Sequence, residues 1–381
     1  MPSSKTMVVI FWQLLLAITL TSVTCGTYGQ VSPTSESRAV EKPILAVLVP
    51  PETDPAYTVM RSFKDGILAS YEEDKEKYDL RFITLSEPGR ISTTLEKATD
   101  DGVMLIIGPL FKDSVEYVAS MTSIPLPVLA INRPQTDHVP DLFMSIDLSM
   151  ESQMEQLVQE ATRSTISDDK VSLPFLILTT SSEYDQNIAK VAEQALEKKG
   201  ISFQKEQVNL QEIQKIIDLN QIPFRGVIFA LNSAYASLVR PYLSPELAIF
   251  GTSYTNPRNN TDEAIAQTQA NDLRGMVTLE IPAVTELETS NHGKYHDHLS
   301  LLNGEDRILF AVGVDAWRLG KDWLEWHDKM EYSDGLSGKL RFDRSKSFRV
   351  TRELIPTVVQ TKVQLHEQEE PDFVELEETG L

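Results

Sequence analysis

The chain has 381 residues, 41% of them hydrophobic, a single cysteine and a formal net charge of −21. That apolar content is ample for packed cores, and the length accommodates two or three domain-sized units. The acidic balance excludes nucleic acid as a partner, because phosphate binding needs clustered Lys and Arg, and one cysteine excludes an intrachain disulfide.

In chain order, the first element is an apolar run, Met7–Trp12 and Leu14–Leu20, preceded by Lys5 and followed by Cys25. Residues 1–25 read as a secretory signal peptide with an apolar stretch of about a dozen residues, too short for a membrane span. Two readings of Cys25 stand. It is the lipid-bearing first residue of a mature lipoprotein, or it is incidental and an ordinary signal peptidase cuts near Gly26 or Gly29. Thr24 departs from the pattern that lipid attachment prefers just before the cysteine. In both readings the mature protein leaves the cytoplasm. Residues 26–42, rich in Ser, Pro and Thr from Gln30 onward, read as a linker.

From Pro43 the pattern changes. Ile44–Val49 is a continuous apolar run closed by Pro50-Pro51, as in a strand buried on both faces of a parallel sheet. A helix with Met60, Phe63, Ile67 and Tyr71 on one face follows, then a strand over 80–85. Next come a helix over 92–101 capped by Ser92 or Thr93, and a strand over 103–107 stopped by Gly108-Pro109. A helix through Val115, Val118 and Met121 leads to a strand over 128–132. The alternation then restarts with a helix from Glu151 and a strand over 175–178. A helix with Tyr184, Ile188, Val191, Ala192 and Ala195 inward ends at Gly200, and strands follow over 226–230 and 248–251. This rhythm predicts an α/β fold of two lobes, each a parallel sheet flanked by helices, with a cleft between them.

The last third departs from that rhythm. It holds an extended stretch over 272–282 and a long helix over 305–326, with Ile308, Val312, Ala316, Leu319 and Trp323 on one face. A turn at 334–338, a strand over 339–343 and a terminal strand pair over 350–363 follow. The expected partition is 43–147 plus 275–329 for lobe one and 148–274 plus 330–365 for lobe two. Residues 366–381 form an acidic tail that reads as a solvated end.

No G-x-S-x-G elbow, P-loop or H-E-x-x-H is present, so neither catalysis nor a cofactor is predicted. His292 and His296 have the i, i+4 spacing that zinc uses, beside Asp297 and His298, but Gly293 weakens the helix and no metal is expected. Asn259-Asn260-Thr261 matches a glycosylation acceptor and reads as a polar loop. The candidate cleft residues are Asn132, Arg133, Ser181, Ser182, Tyr184, Ser253 and Asp315. Arg133 suits a ligand carboxylate or a surface pair with Asp137 or Asp141. The serines suit an anion at a helix N-terminus or a plain N-cap. Asp315 with Arg318 suits a partner contact, the cleft lining, or a structural pair.

Several blocks carry a resemblance. They are Leu105-Ile106-Ile107-Gly108-Pro109-Leu110, Val128–Asn132, Asp272-Leu273-Arg274-Gly275 running to Glu280-Ile281-Pro282, Arg307–Leu319, Asp334–Leu340 and Val350–Leu354. In this order they span about residues 43 to 357 and resemble the penicillin-binding protein activator family, also called LppC or LpoA, with a type I periplasmic-binding-protein fold. The resemblance implies a non-enzymatic periplasmic protein, anchored to the outer membrane by lipid on Cys25, that binds and activates a class A penicillin-binding protein in peptidoglycan synthesis. Enteric members carry an N-terminal helical-repeat domain where this chain has a linker, so it resembles the short form. Pro282-Ala283 stands where the family usually has Pro-Trp. The competing expectation is a periplasmic solute receptor for an amino-acid-like ligand.

Overall fold

The computed structural model describes residues 41–360 except 167–170, 261, 286–292, 303 and 326. The signal segment with Cys25, nearly all of the linker and the acidic tail therefore lie outside the described residues. Strands β1 (Ile44–Val49), β2 (Asp79–Thr84), β3 (Val103–Ile107), β4 (Val128–Ala130) and β5 (Phe143–Ile146) pair in parallel. Helices α1 (Ala56–Tyr71), α2 (Ile91–Asp100) and α3 (Lys112–Ala119) connect the first four. After α4 (Met150–Ser164) the unit repeats as β6 (Phe175–Thr179), α5 (Glu183–Lys198), β7 (Phe203–Gln207), α6 (Ile213–Asp218) and β8 (Gly226–Ala230). It continues through α7 (Ser233–Val239), β9 (Ile249–Gly251), α8 (Glu263–Asp272) and β10 (Val277–Glu280). Short helices α9 (Pro282–Thr285) and α10 (His296–Ser300) precede the long α11 (Gly304–Leu324). Then come β11 (Lys329–Tyr332), β12 (Lys339–Asp343), β13 (Arg349–Glu353) and β14 (Ile355–Val358).

The first sheet runs β11-β12-β13-β5-β4-β3-β1-β2 and the second β14-β10-β9-β8-β6-β7. This is the two-lobed α/β architecture that the alternation predicts. β6 and β8 are buried at every position, because helices cover both faces of the second sheet. β7, Phe-Gln-Lys-Glu-Gln, is polar because it forms an open edge of that sheet.

Three expectations are corrected. β10 lies in the second sheet, parallel to β9, not in lobe one, and its Leu279 packs in that lobe's core. β11, β12 and β13 lie in the first sheet, not lobe two, and Met330, Leu340, Phe342 and Val350 share its core with Trp317. The strands at the end are not a pair. β13 joins β5 and β14 joins β10, so the chain passes between lobes at Leu354. Gln156 of α4 holds that passage, its amide donating to the Arg352 carbonyl (2.8 Å) and accepting from the Leu354 N–H (3.0 Å). At α2 neither Ser92 nor Thr93 caps the helix; the Thr93 and Thr94 hydroxyls instead donate back to the Arg90 carbonyl.

Helix α11 serves both lobes. Phe310 and Val314 belong to the second lobe's core, whereas Val312, Ala316, Trp317, Leu319 and Trp323 belong to the first. The Trp317 indole N–H donates to the Asp74 carboxylate (3.0 Å), which also receives the Lys321 ammonium (2.8 Å). Tyr71 and Tyr78 meet the indole edge-to-face.

Candidate functional site: the cleft between the lobes

Each sheet reverses its winding once. β1 feeds β2 on one side and β3 on the other, and β6 feeds β7 and β8 in the same way. Ligands of open α/β sheets bind at such points, outside the carboxyl ends of the strands. In lobe one the site is a cavity of about 190 Å³ under Pro50, Pro109 and Leu110. In lobe two it is a polar hollow of about 590 Å³ bounded by Thr180, Ser181, Ser182, Asp185 and Asn232.

Between the lobes lies a third space, about 320 Å³. Lobe one contributes Val59, Leu110, Phe111, Lys112 and Asn132; lobe two contributes Tyr184, Ser253 and Tyr254. Tyr184 and Tyr254 meet edge-to-face at 5.0 Å. Partial burial at the cleft wall, with smaller contributions from neighbours including Tyr254 and Glu151, pushes the Tyr184 hydroxyl up to about 12.

Of the predicted residues, the structure brings Asn132, Tyr184 and Ser253 to this cleft and places the others elsewhere. The Asn132 side-chain oxygen accepts from the Arg133 N–H (2.9 Å). The Arg133 guanidinium lies 3.8 Å from the Asp147 carboxylate rather than beside Asp137 or Asp141. Ser181 and Ser182 line the lobe-two hollow, and Ser182 caps α5 by accepting from the Asp185 N–H (3.4 Å). Tyr184, expected inward on its helix, is 49% exposed because it turns onto the cleft. Ser253 donates its hydroxyl to Gln153 (2.7 Å), and its carbonyl receives the Asn259 amide (2.7 Å). Much of this lobe-two wall is therefore already satisfied from within the protein.

Asp315 is buried in α11, away from the cleft, and accepts from the N–H groups of Leu336 (3.1 Å) and Ser337 (2.7 Å) and from the Ser337 hydroxyl (2.7 Å). Burial pushes its carboxyl up, opposed by these hydrogen bonds and by Arg318 at 3.8 Å. Arg318 reaches on to Asp334 (3.0 Å) and stacks over Tyr332. The pair thus holds the Asp334–Gly338 turn against the helix. The turn needs its glycines: a Cβ on Gly335 would meet the Gly338 carbonyl oxygen at 2.2 Å.

Sequence reasoning missed Arg352, which lines the cleft while only 6% exposed. Its Nε and Nη1 donate to the carbonyls of Asp147 (3.3 Å) and Ser337 (2.9 Å). Among the described residues no carboxylate forms an ion pair with it. Burial lowers the guanidinium to about 10, against the attraction of Asp147 and Asp315. The signal was present: Arg352 shares the buried face of β13 with Val350. A cation at that parity is unusual unless something neutral or anionic holds it.

His292 lies outside the described residues. Among those described, no group of three His, Cys, Asp or Glu could hold a metal ion, and no helix is long and apolar enough to cross a membrane.

No family model matches the chain. It is 25% identical over 277 residues to the penicillin-binding protein activator LpoA of Klebsiella pneumoniae, a match covering 64% of this chain and 38% of that protein. The chain thus spans well under half of that relative's length. Among solved structures, a putative branched-chain amino acid ABC transporter from Chromobacterium violaceum superposes with a TM-score of 0.68 at 21% identity, covering 83% of this chain and 100% of that one. The LpoA (YraM) C-domain from Haemophilus influenzae, a regulator of PBP1A, superposes with a TM-score of 0.64 at 15% identity, covering 83% and 97%. The fold is therefore that of the type I periplasmic-binding proteins, and in sequence the chain resembles LpoA.

Proposed function

We propose that this chain is a non-enzymatic envelope protein that binds a class A penicillin-binding protein and activates peptidoglycan synthesis. The observation that carries the reading is the similarity to LpoA across 64% of the chain. The blocks that resemble that family also interlock here. Asp315 of α11 grips the Asp334–Gly338 turn, and Arg352 of β13 donates to the Ser337 carbonyl of that turn. They build one joint of the fold rather than scattered likenesses. In this reading residues 1–25 direct export and Cys25 carries the lipid that holds the module at the outer membrane. Two measurements test it. The purified protein is expected to bind a class A synthase and raise its glycan-polymerisation or transpeptidation rate, and no binding with no stimulation rejects the activator role. Radiolabelled palmitate is expected to enter the protein and to be lost in Cys25→Ala; labelling that persists rejects the anchor.

A second reading, a solute receptor, is favoured by one feature, the Arg352 guanidinium in the wall of a mixed polar and apolar cleft, in no ion pair with a carboxylate among the described residues. A small carboxylate with an apolar body would supply that partner. Under this reading a thermal-shift panel of amino acids and aryl carboxylates raises Tm in the unaltered protein but not in Arg352→Met. Saturation at 100 times Kd would add about 2.7 kcal/mol. No shift across the panel removes the reading.

A further inference from the structure

Helix α7 and the turn after it are apolar on two opposite faces. Ala236, Val239 and Leu243 point inward and are buried in the second lobe's core. Tyr235, Leu238 and Tyr242, at i, i+3 and i+7, point outward and are 39%, 53% and 43% exposed. A surface helix normally shows a polar outer face, and one that is apolar all round is normally covered on both sides. The neighbouring elements extend the stripe. Asn220 ties residues 219–221 to this turn, its amide donating to the Tyr242 carbonyl (2.7 Å) and accepting from the Ser244 N–H (2.8 Å). Exposed Ile217 and Ile222 flank this tied segment, and α8, packed against α7, carries exposed Ile265. Leu238 and Tyr242, with Tyr235 at the edge of the lobe-two hollow, thus form an exposed apolar stripe whose neighbouring elements carry exposed Ile217, Ile222 and Ile265, a clustering that marks an interaction site more than scattered surface residues do.

Charge selects what covers it. Of the cations nearby, Lys215 pairs with Glu212, and Arg240 donates to the carbonyls of Leu243, Ser244 and Pro245, which fix its position without cancelling its charge. The rim keeps the exposed carboxylates of Asp218 and Glu246. A second copy would bring together two chains of net charge −21, and the chain's own C-terminal segment carries seven carboxylates in its last fifteen residues. Both are repelled by this rim. We propose that this face docks a separate protein that presents apolar anchors within a basic rim, and that this protein is the synthase of the reading above, on which the inference rests. Apolar anchors would supply most of the affinity, and the rim charges chiefly the on-rate and its salt dependence.

The test uses the full mature chain and a purified class A synthase in surface plasmon resonance. Leu238→Ser/Tyr242→Ser is expected to weaken binding at least tenfold with an unchanged thermal midpoint. Asp218→Lys/Glu246→Lys is expected to slow association and flatten its dependence on salt. If the unaltered protein binds and both variants bind equally well, the face is wrong while the activator reading stands. If the unaltered protein binds no synthase, the reading and this proposal both fall. A concentration-dependent dimer in sedimentation velocity that the serine variant abolishes would make a second copy the occupant, and would also overturn it.

Discussion

Asp315→Ala is expected to cost about 2–6 kcal/mol of folding stability, the sum for two buried backbone donors that lose their acceptor. Its carboxylate is the acceptor for two backbone N–H groups and one hydroxyl in a site without access to water. The Ser337 hydroxyl can turn to another acceptor, but the N–H groups of Leu336 and Ser337 cannot. Each buried donor left unpaired costs roughly 1–3 kcal/mol. Arg318 keeps Asp334 as a partner, so it does not add a second stranded charge. The consequence reaches beyond the turn, because Ser337 also receives Arg352 from β13, and β13 leads directly into the passage between lobes. Urea unfolding should show a lower midpoint, and thermal unfolding a Tm lower by on the order of 10 °C. Asp315→Asn should fall between the two, since it keeps one acceptor but turns an amide N–H₂ toward other donors. Unfolding of the alanine variant within about 1 kcal/mol of the unaltered protein would show that the turn is held by something else.

The same site shows what was legible in the sequence. Ile44–Val49, Val103–Ile107, Phe175–Leu178 and Gly226–Ala230 announce themselves because a strand covered on both faces must be apolar throughout, and all four became central strands. β5, β7 and β11 did not. β5 is interrupted by Ser145, and β7 and β11 are rich in Gln, Lys and Glu, so none makes a continuous apolar run. Sheet membership was less accessible still. Periodicity tells a strand from a helix, but nothing local in Val277–Glu280 or Lys339–Asp343 says which sheet it completes: β10 joins β9 and β14, and β12 reaches the first sheet through β13, whose Arg349 pairs with the distant Ser145. The candidate residues divide in the same manner. Asn132, Tyr184 and Ser253 reach the cleft because strand ends and helix starts can be located from pattern. Arg352 lies in a strand whose lobe the pattern does not reveal, and nothing local in the sequence pairs Asp315 with Leu336 and Ser337.

Gly313→Ala carries the second large effect, and here two opposed magnitudes decide the sign. Alanine inside a helix is intrinsically better than glycine by about 1 kcal/mol, so an exposed helical glycine would be stabilised by the change. Gly313 is not exposed. A Cβ there would meet the Phe63 carbonyl oxygen at 2.2 Å and the Gly66 Cα at 3.1 Å, and a Cβ on Gly66 would meet the Phe310 carbonyl oxygen at 2.1 Å. The obstacles are the backbones of α1 and α11, which cannot swing aside as a flexible side chain can. The helices must separate, and because α11 fills both cores, separation loosens packing around Trp317 on one side and Phe310 on the other. Overpacking of this kind typically costs about 1–3 kcal/mol, and rigid backbone on both sides puts this site at the upper end. The net expectation is a loss of about 2 kcal/mol for either single variant. The double variant Gly66→Ala/Gly313→Ala should lose less than the sum, because the first methyl already moves the helices apart. Gly89→Ala, where an added Cβ meets nothing within 4 Å, should stay within about 0.5 kcal/mol of the unaltered protein. Denaturant unfolding of the four variants beside the unaltered protein checks the set; a Gly313→Ala variant as stable as the unaltered protein would mean that the two helices do not cross in backbone contact.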